Sequence, residues 1–120
     1  MLLENKYYKI VNVKQEGLAA TFTVEILSDC NVYEGHFPGN PVCPGVCNIE
    51  TIKECASQLL GKPLTINTIK QCRLTAIATP TVCPQVSVSV NITQNADTYT
   101  VIANIYDDKQ SYMDFKGTLS

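Results

Sequence analysis

The sequence predicts an α+β fold, with an antiparallel sheet of about six strands wrapped around one long central helix. Three observations lead there. Val46, Ile49, Ile52, Ala56 and Leu59-Leu60 recur at three- and four-residue spacing, which marks one face of a helix. Most of the remaining chain alternates between apolar and polar residues, without a fault over Val86-Ser87-Val88-Ser89-Val90-Asn91-Ile92-Thr93, as a strand does when one face is buried and the other is wet or paired. Between the two patterns stands His36-Phe37-Pro38-Gly39-Asn40-Pro41-Val42-Cys43-Pro44-Gly45-Val46, with three of the six prolines and two of the six glycines. That run is neither helix nor strand. Each Pro fixes its own φ and lacks an amide donor, and each pushes the residue before it to extended backbone. A stiff loop is expected, leading straight into the helix.

Taken in order, Tyr7–Lys14 is rich in β-branched and aromatic residues and reads as a first strand. Gln15-Glu16-Gly17 turns, and Leu18–Leu27 returns with Ala20, Phe22, Val24 and Ile26 on one face, so the two make a hairpin. Cys30–Gly35 leads to the Pro-rich loop. The helix is expected over roughly Val46 to Leu60, stopped by Gly61 with Pro63 beyond. Leu64–Leu74 is extended, and Thr79-Pro80 and Cys83-Pro84 break the chain. Val86–Thr93 follows, Gln94–Asp97 turns, Thr98–Tyr106 comes back, Asp107-Asp108-Lys109 turns again, and Ser111–Leu119 is the final strand. No repeat, linker or low-complexity segment interrupts residues 1–120, which are read as one domain.

Composition bounds the function. The 120 residues are 45% hydrophobic and 17% charged, with a net charge of −2. This is an ordinary globular balance, and it points to neither nucleic acid nor an anionic membrane as partner. No apolar run approaches the ~20 residues that cross a bilayer. Met1-Leu2-Leu3-Glu4-Asn5-Lys6 lacks the basic and apolar blocks of a signal peptide, so a cytoplasmic protein is expected. Cys30, Cys43, Cys47, Cys55, Cys72 and Cys83 are therefore read as free buried thiols. Cys43-x3-Cys47 is not a strong zinc spacing and no second pair with His completes a site, so no metal is expected.

The loop and helix bring chemistry together. His36 is the only histidine, and imidazole exchanges protons near neutral pH. Glu50 lies one turn into the helix, and a carboxyl partly buried on an apolar helix has its pKa raised and can act as an acid. The helix start at Gly45 and Val46 offers free amides and the positive dipole end to a developing oxyanion. The plainer alternative makes His36 a turn residue and Glu50 a solvated charge. So much Pro and Gly is unnecessary for a turn alone.

These residues carry a family resemblance. His36-Phe37-Pro38-Gly39-Asn40-Pro41-Val42-Cys43-Pro44-Gly45-Val46, with Glu50 fourteen positions after His36, resembles the signature of the 3-hydroxyacyl-(acyl-carrier-protein) dehydratases of fatty acid synthesis, which are hotdog-fold proteins. The resemblance implies that His36 takes a proton from C2 of a 3-hydroxyacyl thioester and that Glu50 protonates the departing 3-hydroxyl. It implies that the Gly45 amide holds the thioester carbonyl, with Val46 and Phe37 at the substrate. It implies no cofactor, since the substrate rides on the phosphopantetheine arm of an acyl carrier protein. It also implies a homodimer joined sheet edge to sheet edge, with His36 of one chain facing Glu50 of the other. A trimer of dimers is common in the branch with Glu at this position.

There are departures from the family pattern. Cys43 replaces the usual methionine, Pro80-Thr81-Val82-Cys83-Pro84 stands where Pro-Gly-Asp is usual, and Glu54 replaces a frequent Gln. A second carboxylate one turn from Glu50 would raise the pKa of Glu50 if both faced the site. Lys70 and Arg73 lie together near the Pro-broken region and are the expected docking patch for the acidic carrier protein. Two other functions compete with the dehydratase. One is a hotdog thioesterase, and the other a non-catalytic hotdog subunit that binds an acyl carrier.

Overall fold

A computed structural model describes residues 3–27, 45–76 and 84–120, with residues 45 and 46 described as helix backbone only. The Pro-rich loop with His36 and Phe37, the thiols Cys30, Cys43 and Cys83, and the turn expected over residues 80–84 (apart from Pro84) lie outside the described residues. Among the described residues there are six strands: β1 (Tyr8–Glu16), β2 (Ala19–Ile26), β3 (Ile66–Leu74), β4 (Gln85–Asn95), β5 (Thr98–Tyr106) and β6 (Ser111–Leu119). Among the described residues one helix, α1 (Gly45–Leu60), stands between β2 and β3. The strands form one antiparallel sheet in the order β1-β2-β4-β5-β6-β3.

Register explains the core. Phe22 faces Val88, Val88 faces Ile105, and Ile105 faces Met113. One step along, Ala20, Val90, Ala103 and Phe115 form a second row. All eight are buried. Each strand alternates, so all eight fall on one face, and a slip of one residue would turn them to water. The helix covers this face. Its Cys47, Ile52, Cys55, Ala56 and Leu59 join the same apolar cluster, and it packs on β4 and β2. Burying a side chain of Phe, Ile or Val size is worth about 1.5–3 kcal/mol each, which makes this two-layer contact the main stabilising feature.

The helix ends as the sequence predicts. Gly61 takes a φ of +71°, the Gly61 amide donates to the Gln58 carbonyl at 3.2 Å, and the Lys62 amide donates to the Ser57 carbonyl at 3.1 Å. This is a Schellman cap, which favours Gly in the left-handed position. The observed start and end fall within a residue of expectation. With 16 residues it is nevertheless an ordinary helix lying on two strands, not the long central helix that was expected.

Three further details differ. The first hairpin turns at Gly17 and Leu18, so β1 continues through Gln15 and Glu16 rather than turning there. Leu64 is buried but precedes β3, where it was expected within the strand. Cys47 and Cys55 are free and buried as expected, whereas Cys72 is free and exposed. Cys72 sits on β3, an edge strand that α1 does not cover. From Asn67 to Leu74 every residue of β3 is exposed.

Candidate active site

Glu50 is the sixth residue of α1. At 1.5 Å per residue it lies about 7.5 Å along the axis from Gly45. Its side chain is 27% exposed and pairs with Lys53 one turn on, at 3.2 Å from Oε2 and 3.3 Å from Oε1. Burial raises the Glu50 carboxyl above the ordinary range, Lys53 pulls it down through a hydrogen bond and its charge, and a hydrogen bond with Glu54 and the charge of Glu54 push it up again. The balance is upward, which suits a carboxyl that must hold a proton in order to give it.

Glu54 does not share the exposure of Glu50. It is 1% exposed and faces the segment before β1. Its Oε1 accepts from the Tyr8 hydroxyl at 2.9 Å, the Glu4 amide at 3.1 Å and the Leu3 amide at 3.3 Å, and its Oε2 accepts from the Leu3 amide at 3.0 Å. Burial, with Cys55 and Glu54 nearby, pushes the Tyr8 phenol far up. Burial and the same acids Glu54 and Glu4 push the Cys55 thiol up, so both keep their protons across the neutral range. Beside them the Tyr7 hydroxyl donates to Asn48 Oδ1 at 3.0 Å. Tyr7, Tyr8, Asn48 and Thr51 border a narrow cleft between α1 and the valines and isoleucines of β2, β4 and β5, with about 10 Å³ of free space. That is room for about one water.

Of the residues singled out in the sequence, Gly45, Val46 and Glu50 are brought onto one helix. Lys70 and Arg73 are exposed on β3, and within one chain they stand apart from Glu50. Three strand spacings separate β3 from β4, the strand under the helix, about 14 Å in all. Arg73 also faces Asp114 across β6, and Lys70 falls at a register shift between Ile69 and Gln71. His36 and Phe37 lie outside the described residues. The sequence reading missed Tyr7, Tyr8 and Asn48. Both tyrosines are buried, which breaks strand alternation, and two adjacent tyrosines at the start of the first strand are the trace of it in the sequence. Among the described residues, no group of three or more His, Cys, Asp or Glu could hold a metal ion, and no helix is long and apolar enough to cross a membrane.

An antiparallel six-stranded sheet carrying one helix is the arrangement of hotdog dehydratases. The chain resembles a chain of the dehydratase heterocomplex ApeI:P from Xenorhabdus doucetiae, with a TM-score of 0.74 and 18% identity over 92% of this chain and 96% of that one. It also resembles an uncharacterized protein from Erwinia carotovora subsp. atroseptica, with a TM-score of 0.62 and 17% identity over 91% and 90%. At such identities the likeness is one of fold. Sequence carries the family. Residues 12–114 match the model of the ApeI-like dehydratases, and the chain belongs to that family. It is 31% identical over 90 residues to the 3-hydroxyacyl-(acyl-carrier-protein) dehydratase FabZ of Levilactobacillus brevis, covering 66% of this chain and 61% of the relative. It is 47% identical over 36 residues to the FabZ of Caulobacter vibrioides, covering 30% and 23%. The chain thus spans about three fifths of the length of the first of these relatives.

Proposed function

We propose that this chain dehydrates 3-hydroxyacyl thioesters, carried on an acyl carrier protein, to trans-2-enoyl thioesters. His36 takes the proton from C2, the electron pair left behind forms the C2–C3 double bond, and the C3–O bond breaks. Glu50 gives its proton to the departing hydroxyl, which leaves as water. The amides of Gly45 and Val46 stabilise the thioester oxygen while charge builds there, and Phe37 lies against the substrate. No cofactor takes part, and a cytoplasmic single domain, residues 1–120, carries the site.

The observation that supports this most is the state of Glu50, a half-buried carboxyl pushed toward its protonated form in a chain of a dehydratase family. The helix start supports the oxyanion role, because no acidic residue occupies its first turn to offset the positive dipole end. The sites are shared between two copies of the chain, joined at the outer edge of β3, beyond which no strand of the described residues lies in the sheet. Such dimers can assemble further into a trimer of dimers. Lys70 and Arg73 then steer the carrier protein, since edge pairing uses the main chain and leaves side chains on the two faces.

A second reading replaces one copy by a different hotdog chain. It is favoured by the open β3 edge and by the fact that the solved relative is described as a heterocomplex. Incubation of the purified chain with a 3-hydroxyacyl carrier protein tests both. Formation of the enoyl thioester by the chain alone supports the first reading. Binding without turnover until a second chain is added supports the other. Release of free thiol would make the protein a thioesterase and overturn both.

A further inference from the structure

Glu54 has no part in the reaction just described, yet it is among the most deeply buried charged side chains. It is buried against a purpose-shaped piece of backbone. The Lys6 and Tyr7 amides donate to the Leu3 carbonyl at 3.0 and 2.8 Å, and the Asn5 amide donates to the Tyr8 carbonyl at 2.6 Å. Asn5 closes this turn with a φ of +67°, a conformation that Asn tolerates better than most residues. The turn leaves the consecutive amides of Leu3 and Glu4 pointing to one place, and the Glu54 carboxyl occupies it. The Tyr8 hydroxyl adds a third donor from the start of β1.

The two carboxyls of α1 are therefore unequal. A carboxylate can only accept hydrogen bonds. On Glu54, three donors already point at the carboxyl and fix its position. Glu50 lies four residues before Glu54 on the same helix, the spacing at which side chains on one helix face are neighbours, so Glu54 is placed to accept from a protonated Glu50. We propose that Glu54, locked by the N-terminal turn, is a positioning residue that accepts a hydrogen bond from Glu50 and makes Glu50 the member of the pair that carries and aims the transferable proton. This rests on the reading of Glu50 as the acid.

Among the described residues few other charges reach the pair. Lys53 faces Glu50 from the same helix. Glu4 meets Glu54 from the turn and Tyr8 from the start of β1, and Cys55 lies beside it. Of the strands beneath the helix, β4 has no titratable side chain, and Glu25, the only one of β2, is exposed.

The test is a carbon-13 titration of the Glu50 carboxyl in the intact protein, read beside the pH dependence of kcat/KM. Glu54→Gln is expected to lower the Glu50 midpoint by about one unit and to move the alkaline limb of the rate profile down with it. Tyr8→Phe removes one donor and keeps the ring, and should give a smaller shift of the same sign. It carries the test on its own if Glu54→Gln does not fold. A midpoint that stays in place in both variants, with rate lost equally at every pH, would make Glu54 a structural clamp only and overturn the proposal. Full activity in Glu50→Gln would instead overturn the acid assignment, and the carboxyl titration would still report whether Glu54 controls the proton.

Discussion

The main-chain oxygen of Thr68 stands 2.5 Å from the point that a side-chain carbon on Gly117 would occupy. Two atoms of the Phe115 ring close the same point at 3.0 and 3.3 Å. Gly117 faces Ile69 across the β6–β3 pair, where β3 shifts register on both sides of Thr68 and Ile69. The absent side chain is what lets the edge strand come this close. Gly117→Ala is expected to cost about 1–3 kcal/mol through overpacking, seen as a lower denaturant midpoint. Because β3 is the proposed contact with the second copy, the variant should also dissociate at lower dilution in analytical ultracentrifugation. An unchanged midpoint would mean that β3 shifts at no cost.

Glu50 should weaken the fold that it serves. Its carboxyl ionises higher in the folded chain than in the unfolded one, so the folded state binds the proton more tightly. The stabilisation this gives is fully present below the ordinary value of 4.5 and is lost as pH rises through the folded value. Glu50→Gln removes that dependence. The variant should gain stability over the natural protein at neutral pH and lose the advantage at pH 4, while dehydration falls by about 10²–10⁴-fold. Thermal melts at the two pH values check the first part, and the enoyl assay checks the second.

Lys53 acts on the same carboxyl with the opposite sign to Glu54. It holds Glu50 down through a hydrogen bond and its charge. Lys53→Met keeps the stem and removes the charge, so Glu50 should retain its proton to higher pH. A general acid works while it is protonated, and the alkaline limb of kcat/KM should move upward. A downward movement would show that the ion pair is not felt at the acid.

Sharing of sites between copies predicts complementation. His36→Ala and Glu50→Gln proteins should each be inactive. Mixed under conditions that allow exchange, they should recover part of the activity, since one of the two sites in a mixed dimer keeps both groups. Labelled subunits report exchange independently, and exchange without recovery would place both groups of a site in one chain.

Charge reversal at Lys70 and Arg73 tests the docking patch. Both side chains are exposed on β3, and steering by a few cations changes encounter more than chemistry. The double variant should raise KM for a carrier-protein substrate and leave a small pantetheine thioester unaffected. Equal loss on both substrates would point to a damaged strand.

The parts of this molecule that could be read in the sequence are those with a short period. Val86, Val88, Val90 and Ile92 face the core as their alternation says, and Gly61 caps the helix where a left-handed residue was needed. Glu50 stands out in sequence as an acid on an apolar helix face, and its place on the helix, half-buried, is as expected, while its part in the reaction is a proposal. The position of β3 was not legible. It follows α1 in the chain yet pairs with β6 at the far edge, a choice set by contacts with a strand far along the chain. The exposure of Cys72 follows from that placement, since a thiol on an uncovered edge looks in sequence like any core thiol. The partners of Glu54 were illegible for another reason, because two of the three donors are main-chain amides.

That last point bears on how the device would look among relatives. Any residue except proline can offer the amides of positions 3 and 4, so selection can hold the contact while both letters drift. An alignment would record Leu3 and Glu4 as freely changing and give no hint that they touch a buried acid. The only conserved marks would be the acid four residues after Glu50, the hydroxyl of Tyr8, and an avoidance of proline at two otherwise unremarkable places. A substitution to proline at either place, harmless by every compositional measure, would strike the helix from outside.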